Sequence, residues 1–183
     1  MMSFSLQFVL VLIGTFMIAL VLTPLVRLFS FKIDAVDYPN ARRINTKPMP
    51  SAGGLSIVIA FSIATLVFIP MLTSTTAPIK SYLSYTLPVV GAGWIIALTG
   101  LIDDVKELSA KKKMIGILLA ASLVWFLTDF RLNDFKIPFG GPLLHFEPWL
   151  SYLLTVIWIV AITNAVNLID GLDGLVSGVS IIS

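Results

Sequence analysis

Long apolar runs separated by short polar stretches dominate the chain. A helix needs roughly 20 apolar residues to cross hydrocarbon, and five runs come close to that length. They lie at about 4–29, 53–72, 83–102, 114–130 and 149–169. A sixth run begins near Gly174 and stops at Ser183; about ten helical residues cover ~15 Å, half a bilayer. The pattern predicts an all-α integral membrane protein, a polytopic helical bundle with about five full spans and the start of a sixth.

The composition supports a membrane protein. Of the 183 residues, 57% are hydrophobic and 12% are charged, more apolar surface than a soluble domain of this size can bury. The chain has no cysteine, which excludes disulfides, thiolate zinc sites and thiol catalysis. The first run is longer than the apolar part of a signal peptide and lacks a cleavage signal, so we expect a retained span. Residues 1–183 are predicted to form a single membrane domain, the N-terminal part of a longer protein.

The distribution of Lys and Arg predicts the orientation. The loops after the first and third spans, with their flanks, carry nine basic residues, and the opposite side carries three. Basic residues favour the cytoplasmic side, so we expect an external N-terminus and cytoplasmic loops at about 32–52 and 103–113. The end of the fifth span is then cytoplasmic too. On the other side, alternating residues around Gly140-Gly141 predict a small external β-hairpin near 134–146, which Pro138 weakens.

Asp103 and Asp104 close the third span, where a carboxylate beside hydrocarbon is a functional candidate by default. Adjacent helical side chains point about 100° apart, so one carboxylate is expected to face a metal or nucleophile while the other anchors a lysine. The alternative is a solvated pair at the helix end. The negative C-terminal end of the helix dipole disfavours that alternative.

A second polar cluster ends the fifth span. Asn164 and Asn167 share one helical stripe that Asp170 continues, and Asp173 follows between two glycines. Carboxylate and amide oxygens, together with substrate phosphates, are the ligands that Mg²⁺ prefers. The alternative is a polar helix cap with a glycine turn, which two asparagines within a lipid span disfavour.

Two lysines are candidates for phosphate binding. Lys113 opens the fourth span and can turn inward, and Lys47 precedes Pro48 as a point charge near Gly53-Gly54. Lys111 and Lys112 are more typical of a cluster that sets topology or contacts anionic lipid. The only histidine, His145, is assigned no role.

Three ordered blocks resemble the polyprenyl-phosphate N-acetylhexosamine-1-phosphate transferases. They are Asp37-Tyr-Pro39 with Lys47-Pro-Met-Pro-Ser-Ala-Gly-Gly54, Gly100-Leu-Ile-Asp103-Asp104 with Lys113, and Asn164-Ala-Val-Asn167-Leu-Ile-Asp170-Gly-Leu-Asp173-Gly174. The stretch Met49–Gly54 is closer to the branch that uses UDP-N-acetylglucosamine and primes teichoic acid and related polymers than to the muramoyl-pentapeptide branch. Family members usually continue for several more spans with a further Asp, so the chain is expected to hold half of an active site.

The resemblance implies Mg²⁺-dependent transfer of N-acetylglucosamine-1-phosphate from UDP-N-acetylglucosamine to undecaprenyl phosphate, with release of UMP. It implies Mg²⁺, with Mn²⁺ as the alternative, a bacterial plasma membrane, no nucleic acid partner, and leaves a homodimer open. The implied roles are as follows: catalytic Asp103 and Asp104; substrate-binding Lys47, Lys113, Asn164, Asn167 and Asp173; metal-binding Asp170 and Asp103.

The mechanistic hypothesis gives the two adjacent aspartates different tasks. Asp103 deprotonates or orients the lipid phosphate, while Asp104 holds Lys113 or the metal shell. Two other classes of function stay open. One is a fragment of a divalent-cation transporter with acids lining a pathway, and the other is a non-catalytic membrane subunit.

Overall fold

A computed structural model describes residues 4–39, 47–72, 79–138, 140–169 and 175–182 of the chain. Its helices are α1 (Phe4–Lys32), α2 (Gly54–Ile63), α3 (Ile69–Leu72), α4 (Ile79–Lys106), α5 (Ala110–Leu127), α6 (Pro148–Ile169) and α7 (Leu175–Ile182). A π-helical stretch, Ala64–Phe68, joins α2 to α3. Four short strands form two antiparallel pairs: β1 (Val36–Asp37) with β2 (Met49–Pro50), and β3 (Asp134–Lys136) with β4 (Leu143–His145). The predicted all-α membrane class is confirmed.

Four helical segments of the described chain are long and apolar enough to cross a membrane. They are Ser5–Lys32, Gly54–Met71, Ile79–Lys106 and Pro148–Ile169. The remaining predicted span corresponds to α5, whose first turn contains Lys111, Lys112 and Lys113. Helix α5 packs against both α4 and α6, so it runs through the same layer as its neighbours. The protein is therefore a multi-pass membrane protein.

The long helices form a row in which each packs mainly against its neighbours along the chain. Helix α1 contacts α2, α2 contacts α4, α4 contacts α5, and α5 contacts α6. Small residues lie buried where the helices meet, among them Ala60, Ala120 and Ala121. Small side chains allow membrane helices to approach closely, because packing rather than hydrophobic exclusion holds them together in lipid.

Polar side chains join neighbouring helices within this row. The Trp94 indole donates a hydrogen bond to the Ser62 hydroxyl at 3.0 Å. The Tyr82 hydroxyl donates to the Thr65 carbonyl at 2.6 Å, inside the π-helical stretch. A π-helical turn shifts the backbone out of regular α-helical pairing, and Tyr82 supplies a partner to a carbonyl in that turn.

The segment 103–113, predicted as a cytoplasmic loop, consists largely of the ends of two helices. Helix α4 continues to Lys106, and α5 begins at Ala110, so three residues connect them. Glu107 has a φ of 47°, which ends α4 in the left-handed region. Hydropathy marks where the apolar layer ends, whereas a helix continues into water until its backbone turns.

The predicted hairpin at 134–146 is confirmed as the pair β3–β4. The pair β1–β2 was not predicted, because each strand has only two residues and the segment reads as turn-like. The register joins Val36 to Pro50 and Asp37 to Met49. This pair brings the segment before α2 back against the end of α1.

Candidate active site

A cavity of about 420 Å³ opens at the end of the row where α4 and α6 finish and α5 begins. Its polar lining consists of Ser51, Thr99, Asp103, Asp104, Lys113, Thr163, Asn164 and Asn167. Its apolar lining includes Leu55, Val58, Ile96, Ile117 and Val166. The cavity brings the Asp103-Asp104 pair together with Asn164 and Asn167 of the second polar cluster, although they lie some 60 residues apart along the chain. Its walls run from charged groups at the helix ends to aliphatic side chains deeper in the helices.

Asp103 is held in place by two hydrogen bonds, one to each carboxylate oxygen. The Lys113 ammonium contacts Oδ2 at 2.8 Å, and the backbone N–H of Leu108 donates to Oδ1 at 2.9 Å. Asp103 and Lys113 are both partly buried, and charge-assisted bonds of this kind hold both side chains in position. Of the two tasks hypothesised for Asp104, holding Lys113 is wrong, since Lys113 pairs with Asp103; holding the metal shell stays a prediction. The physical reason for this pairing is the short α4–α5 connection, which aligns the first turn of α5 with Asp103.

Asp104 faces a different part of the cavity, beside residues from the segment that precedes α2. Ser51 lies next to it, and its buried hydroxyl has no hydrogen-bond partner of regular geometry in the described part of the chain. Asp37 of β1 is also within electrostatic reach of Asp104. Buried hydroxyls are nearly always paired, and Asp104 is the partner that the described residues offer to the Ser51 hydroxyl.

The β1–β2 pair positions Ser51 at the cavity wall. The Ser51 N–H donates to the Ala35 carbonyl at 3.1 Å. Ala35, Ala52 and Val26 form a buried apolar cluster, against which Leu101 of α4 packs. The cluster thereby links the end of α1, the start of α2 and the last turns of α4 around one face of the cavity.

Tyr38 follows β1 and is anchored to the turn after α1. Its hydroxyl donates a hydrogen bond to Asp34 at 3.0 Å. This hydrogen bond, together with the charge of the carboxylate, raises the pKa of Tyr38 above its ordinary value. Asp34 has a φ of 60°, a left-handed conformation that ends α1 and turns the chain toward β1.

Helix α6 supplies the amide groups of the site. Asn164 and Asn167 both line the cavity. The Asn164 amide nitrogen donates to the Val160 carbonyl of its own helix at 2.9 Å, which leaves its side-chain oxygen as the acceptor for a ligand. On the facing α4, a Cβ at Gly93 or Gly100 would meet nothing within 4 Å. The backbone there is open to close approach by a ligand.

The described residues offer oxygen ligands to a cation but no complete metal site. In residues 4–39, 47–72, 79–138, 140–169 and 175–182, no three acidic or histidine side chains converge closely enough to hold a metal ion. Mg²⁺ is usually bound by one or two carboxylates plus phosphates and water. Asp104 and Asn167, which both line the cavity, fit that pattern. Both oxygens of Asp103 already accept a hydrogen bond, so its predicted metal role stays a prediction.

Three further predicted residues have other outcomes. Asp170 and Asp173 lie outside the residues that the structure describes. Lys47 is exposed just before β2 and does not line the cavity. Sequence reasoning missed Ser51 and Asp37, although both stand in the block that carries the family resemblance. The signal that could have found them is their position in the polar segment between the first two apolar runs, on the same side of the membrane as Asp103 and Asp104 by the predicted topology.

Comparison with known proteins relates the chain to membrane transferases. The profile of glycosyl transferase family 4 matches residues 86–183. A probable undecaprenyl-phosphate N-acetylglucosaminyl 1-phosphate transferase of Bacillus subtilis is 39% identical over 96% of this chain and 46% of the relative. A decaprenyl-phosphate N-acetylglucosaminephosphotransferase of Mycolicibacterium smegmatis is 35% identical over 86% of the chain and 38% of the relative.

A relative with a different printed activity is also similar. A phospho-N-acetylmuramoyl-pentapeptide-transferase of Staphylococcus saprophyticus is 32% identical over 95% of the chain and 56% of the relative. No solved structure matches the chain. The chain spans about half the length, or less, of these curated relatives. The family profile covers more than half of the chain, including Asp103, Asp104, Lys113 and the asparagines of α6, and the chain therefore belongs to glycosyl transferase family 4.

Proposed function

We propose that the protein transfers N-acetylglucosamine-1-phosphate from UDP-N-acetylglucosamine to undecaprenyl phosphate and releases UMP. The observation that carries this proposal is the cavity itself. It joins carboxylates, a lysine and amides at the ends of the helices to aliphatic walls within them. A phosphate on an isoprenoid tail and a water-soluble nucleotide sugar can meet only at such a boundary. The names of the Bacillus and Mycolicibacterium relatives support a polyprenyl-phosphate acceptor and an N-acetylglucosamine group.

The reaction forms one phosphoanhydride bond and breaks another. An oxygen of the acceptor phosphate attacks the phosphorus linked to the sugar, the bond from that phosphorus to the UMP phosphate oxygen breaks, and UMP leaves. Phosphoryl transfer depends mainly on positioning and on compensation of negative charge. Lys113, held in place by Asp103, is the basic residue among the described residues that line the cavity. We propose that its ammonium group contacts a phosphate oxygen of the substrate.

The geometry favours an exchange of the tasks first assigned to the two aspartates. Asp103 is a positioning residue because both of its oxygens are engaged, one by Lys113 and one by Leu108. Among the described residues, Asp104 lines the cavity without an ion pair of the kind that holds Asp103, and its neighbour there is the Ser51 hydroxyl. We therefore assign to Asp104 contact with the reacting phosphates, either as base toward the acceptor or as a metal ligand.

Mg²⁺ is part of this proposal, with Mn²⁺ as the alternative. Asp104 and Asn167 would hold it, together with Asp170, which follows Asn167 by three residues in the sequence. When bound, the ion supplies charge neutralisation on the pyrophosphate. We assign to Asn164 and Asp173 contacts with the nucleotide sugar. We assign to Lys47, in the predicted cytoplasmic loop, a contact with a substrate phosphate.

The cavity is assigned to the cytoplasmic face of a bacterial plasma membrane. The loops and flanks at that end carry nine of the twelve Lys and Arg residues, and such a bias favours the cytoplasmic side. The nucleotide sugar is made in the cytosol, which agrees with this orientation. A role in priming teichoic acid or a related surface polymer is the corresponding cellular proposal.

The test is exchange of radiolabelled UMP into UDP-N-acetylglucosamine by membranes that contain the protein, with and without undecaprenyl phosphate and Mg²⁺. We expect Asp104→Asn to lower exchange by about 10²–10⁴-fold, the usual contribution of an acid–base group. The matched control is Glu107→Gln, an exposed residue three positions further on, which should leave exchange unchanged. Normal exchange by Asp104→Asn would remove its assigned role.

The donor is checked in the same assay. UDP-N-acetylmuramoyl-pentapeptide replaces UDP-N-acetylglucosamine, since one relative carries the muramoyl-pentapeptide activity in its name. Exchange only with the pentapeptide donor would overturn the proposed sugar while keeping the reaction type.

A divalent-cation transporter is the rival of another class. It predicts acidic residues near the middle of the membrane, whereas Asp103 and Asp104 lie in the last turns of α4. Cation flux in proteoliposomes without lipid-linked product would favour the transporter. Exchange only after addition of a second polypeptide would favour the non-catalytic subunit.

A further inference from the structure

The β3–β4 hairpin has one apolar face that the described protein does not cover. The register places Phe135 opposite Leu144, and cross-strand partners point to the same side of a sheet. These side chains are 52% and 42% exposed. The next pair, Asp134 with His145, points to the opposite side because side chains alternate along a strand. The hairpin is therefore amphipathic.

The second pair on the polar side is mixed. Lys136 lies opposite Leu143 there. Asp134 and His145 contact each other through carboxylate and imidazole. Three of the four residues on this side thus carry polar or ionisable groups, while both residues on the other side are purely apolar.

Hydrogen bonds fix the base of the hairpin to the start of α6. The Phe146 N–H donates to the Asn133 carbonyl at 2.7 Å, and the Ser151 hydroxyl donates to the Asn133 side-chain oxygen at 2.9 Å. The Leu132 N–H donates to the Thr155 hydroxyl at 2.9 Å. The hairpin therefore has a defined position relative to the helices, although its strands pair only with each other.

The hairpin sits at the end of the helix row opposite the cavity. It connects the end of α5 to the start of α6, and large aromatic residues flank it on both sides. Phe130 is 65% exposed and Trp149 is 68% exposed. Aromatic side chains concentrate where membrane proteins meet the headgroup region. The hairpin thus lies between two exposed aromatic side chains at this end of the helix row.

We propose that the hairpin is a membrane-interface anchor that lays Phe135 and Leu144 into the headgroup region of the bilayer. Asp134, Lys136 and His145 then face water on the other side. Lipid is the occupant because Trp149, which flanks the hairpin, is exposed on the membrane helix α6, and because the charged groups are confined to the opposite face. Amphipathic helices bind to a membrane interface in the same way, with the apolar side in the headgroup region and the polar side in water. The proposal is independent of the transferase reaction.

The test uses single cysteines, since the chain has none of its own. The variants are Phe135→Cys and Leu144→Cys, with Asp134→Cys and Lys136→Cys as matched controls on the other face. Each is labelled with a nitroxide in the full chain, reconstituted in lipid nanodiscs. Collision rates are measured with oxygen, which concentrates in lipid, and with a nickel chelate, which stays in water. Far-UV circular dichroism verifies that each variant keeps its helices.

We expect the ratio of oxygen to nickel collisions to be higher at 135 and 144 than at 134 and 136. Equal nickel access at all four positions would place the hairpin in water and overturn the proposal. Exclusion of both reagents at 135 and 144 would show a protein surface covering this face and would overturn it as well.

Discussion

The contact between α4 and α5 depends on the absence of a side chain at Gly116. A Cβ built there would lie 2.7 Å from Thr99 Cγ2 and 2.9 Å from Thr99 Cβ, and closer still to the Thr99 hydroxyl. Because the Thr99 Cβ is itself too close, rotating the side chain cannot relieve the clash. In Gly116→Ala the two helices must move apart by several tenths of an ångström or more.

This displacement acts directly on the candidate site. Lys113 lies one turn before Gly116, and Asp103 lies one turn after Thr99, so the same helix contact sets their 2.8 Å ion pair. Overpacking costs about 1–3 kcal/mol. Replacing a helical glycine by alanine otherwise gains up to about 1 kcal/mol, so the clash opposes a favourable change.

The assay is thermal unfolding in detergent, followed by the fluorescence of the tryptophans. We expect Gly116→Ala to melt lower than the parent protein by about 2–4 °C for each kcal/mol lost. Gly91→Ala in α4 is the matched control, because a Cβ there meets nothing within 4 Å; it should melt at the same temperature or higher. Adding Thr99→Ala should restore part of the loss. If Gly116→Ala is as stable as Gly91→Ala, the reasoning from close approach is refuted.

Two other predictions concern hydrogen bonds between elements. Tyr82→Phe removes the donor to the Thr65 carbonyl in the π-helical stretch, which should cost about 1–3 kcal/mol; an unchanged melting temperature would contradict this. Lys113→Met removes the partner of Asp103, and we expect UMP exchange to fall by about 10–100-fold, the equivalent of a charge-assisted bond. Lys112→Met, the exposed neighbour, serves as the control; equal losses in both variants would contradict a specific role for Lys113.

The spans were predictable from sequence because hydropathy measures transfer into lipid residue by residue. The start of α6 at Pro148 and the end of α1 at Lys32 differ from the predicted boundaries by one and three residues. The hairpin was predictable for a related reason, since alternation and a glycine turn are local signals. The helical ends within 103–113 were not predictable in this way, because the end of an apolar run is not the end of a helix.

The sequence by itself determined the class of protein, the number of apolar segments and the residue types that could meet phosphate and a cation. Only the tertiary structure decided which of these groups meet. It paired Lys113 with Asp103 rather than Asp104, and it brought Ser51 to the cavity through a two-residue strand pair. These contacts depend on how far one helix lies from another. That distance is set by packing between residues far apart in the chain, such as Gly116 of α5 against Thr99 of α4, and no local pattern encodes it.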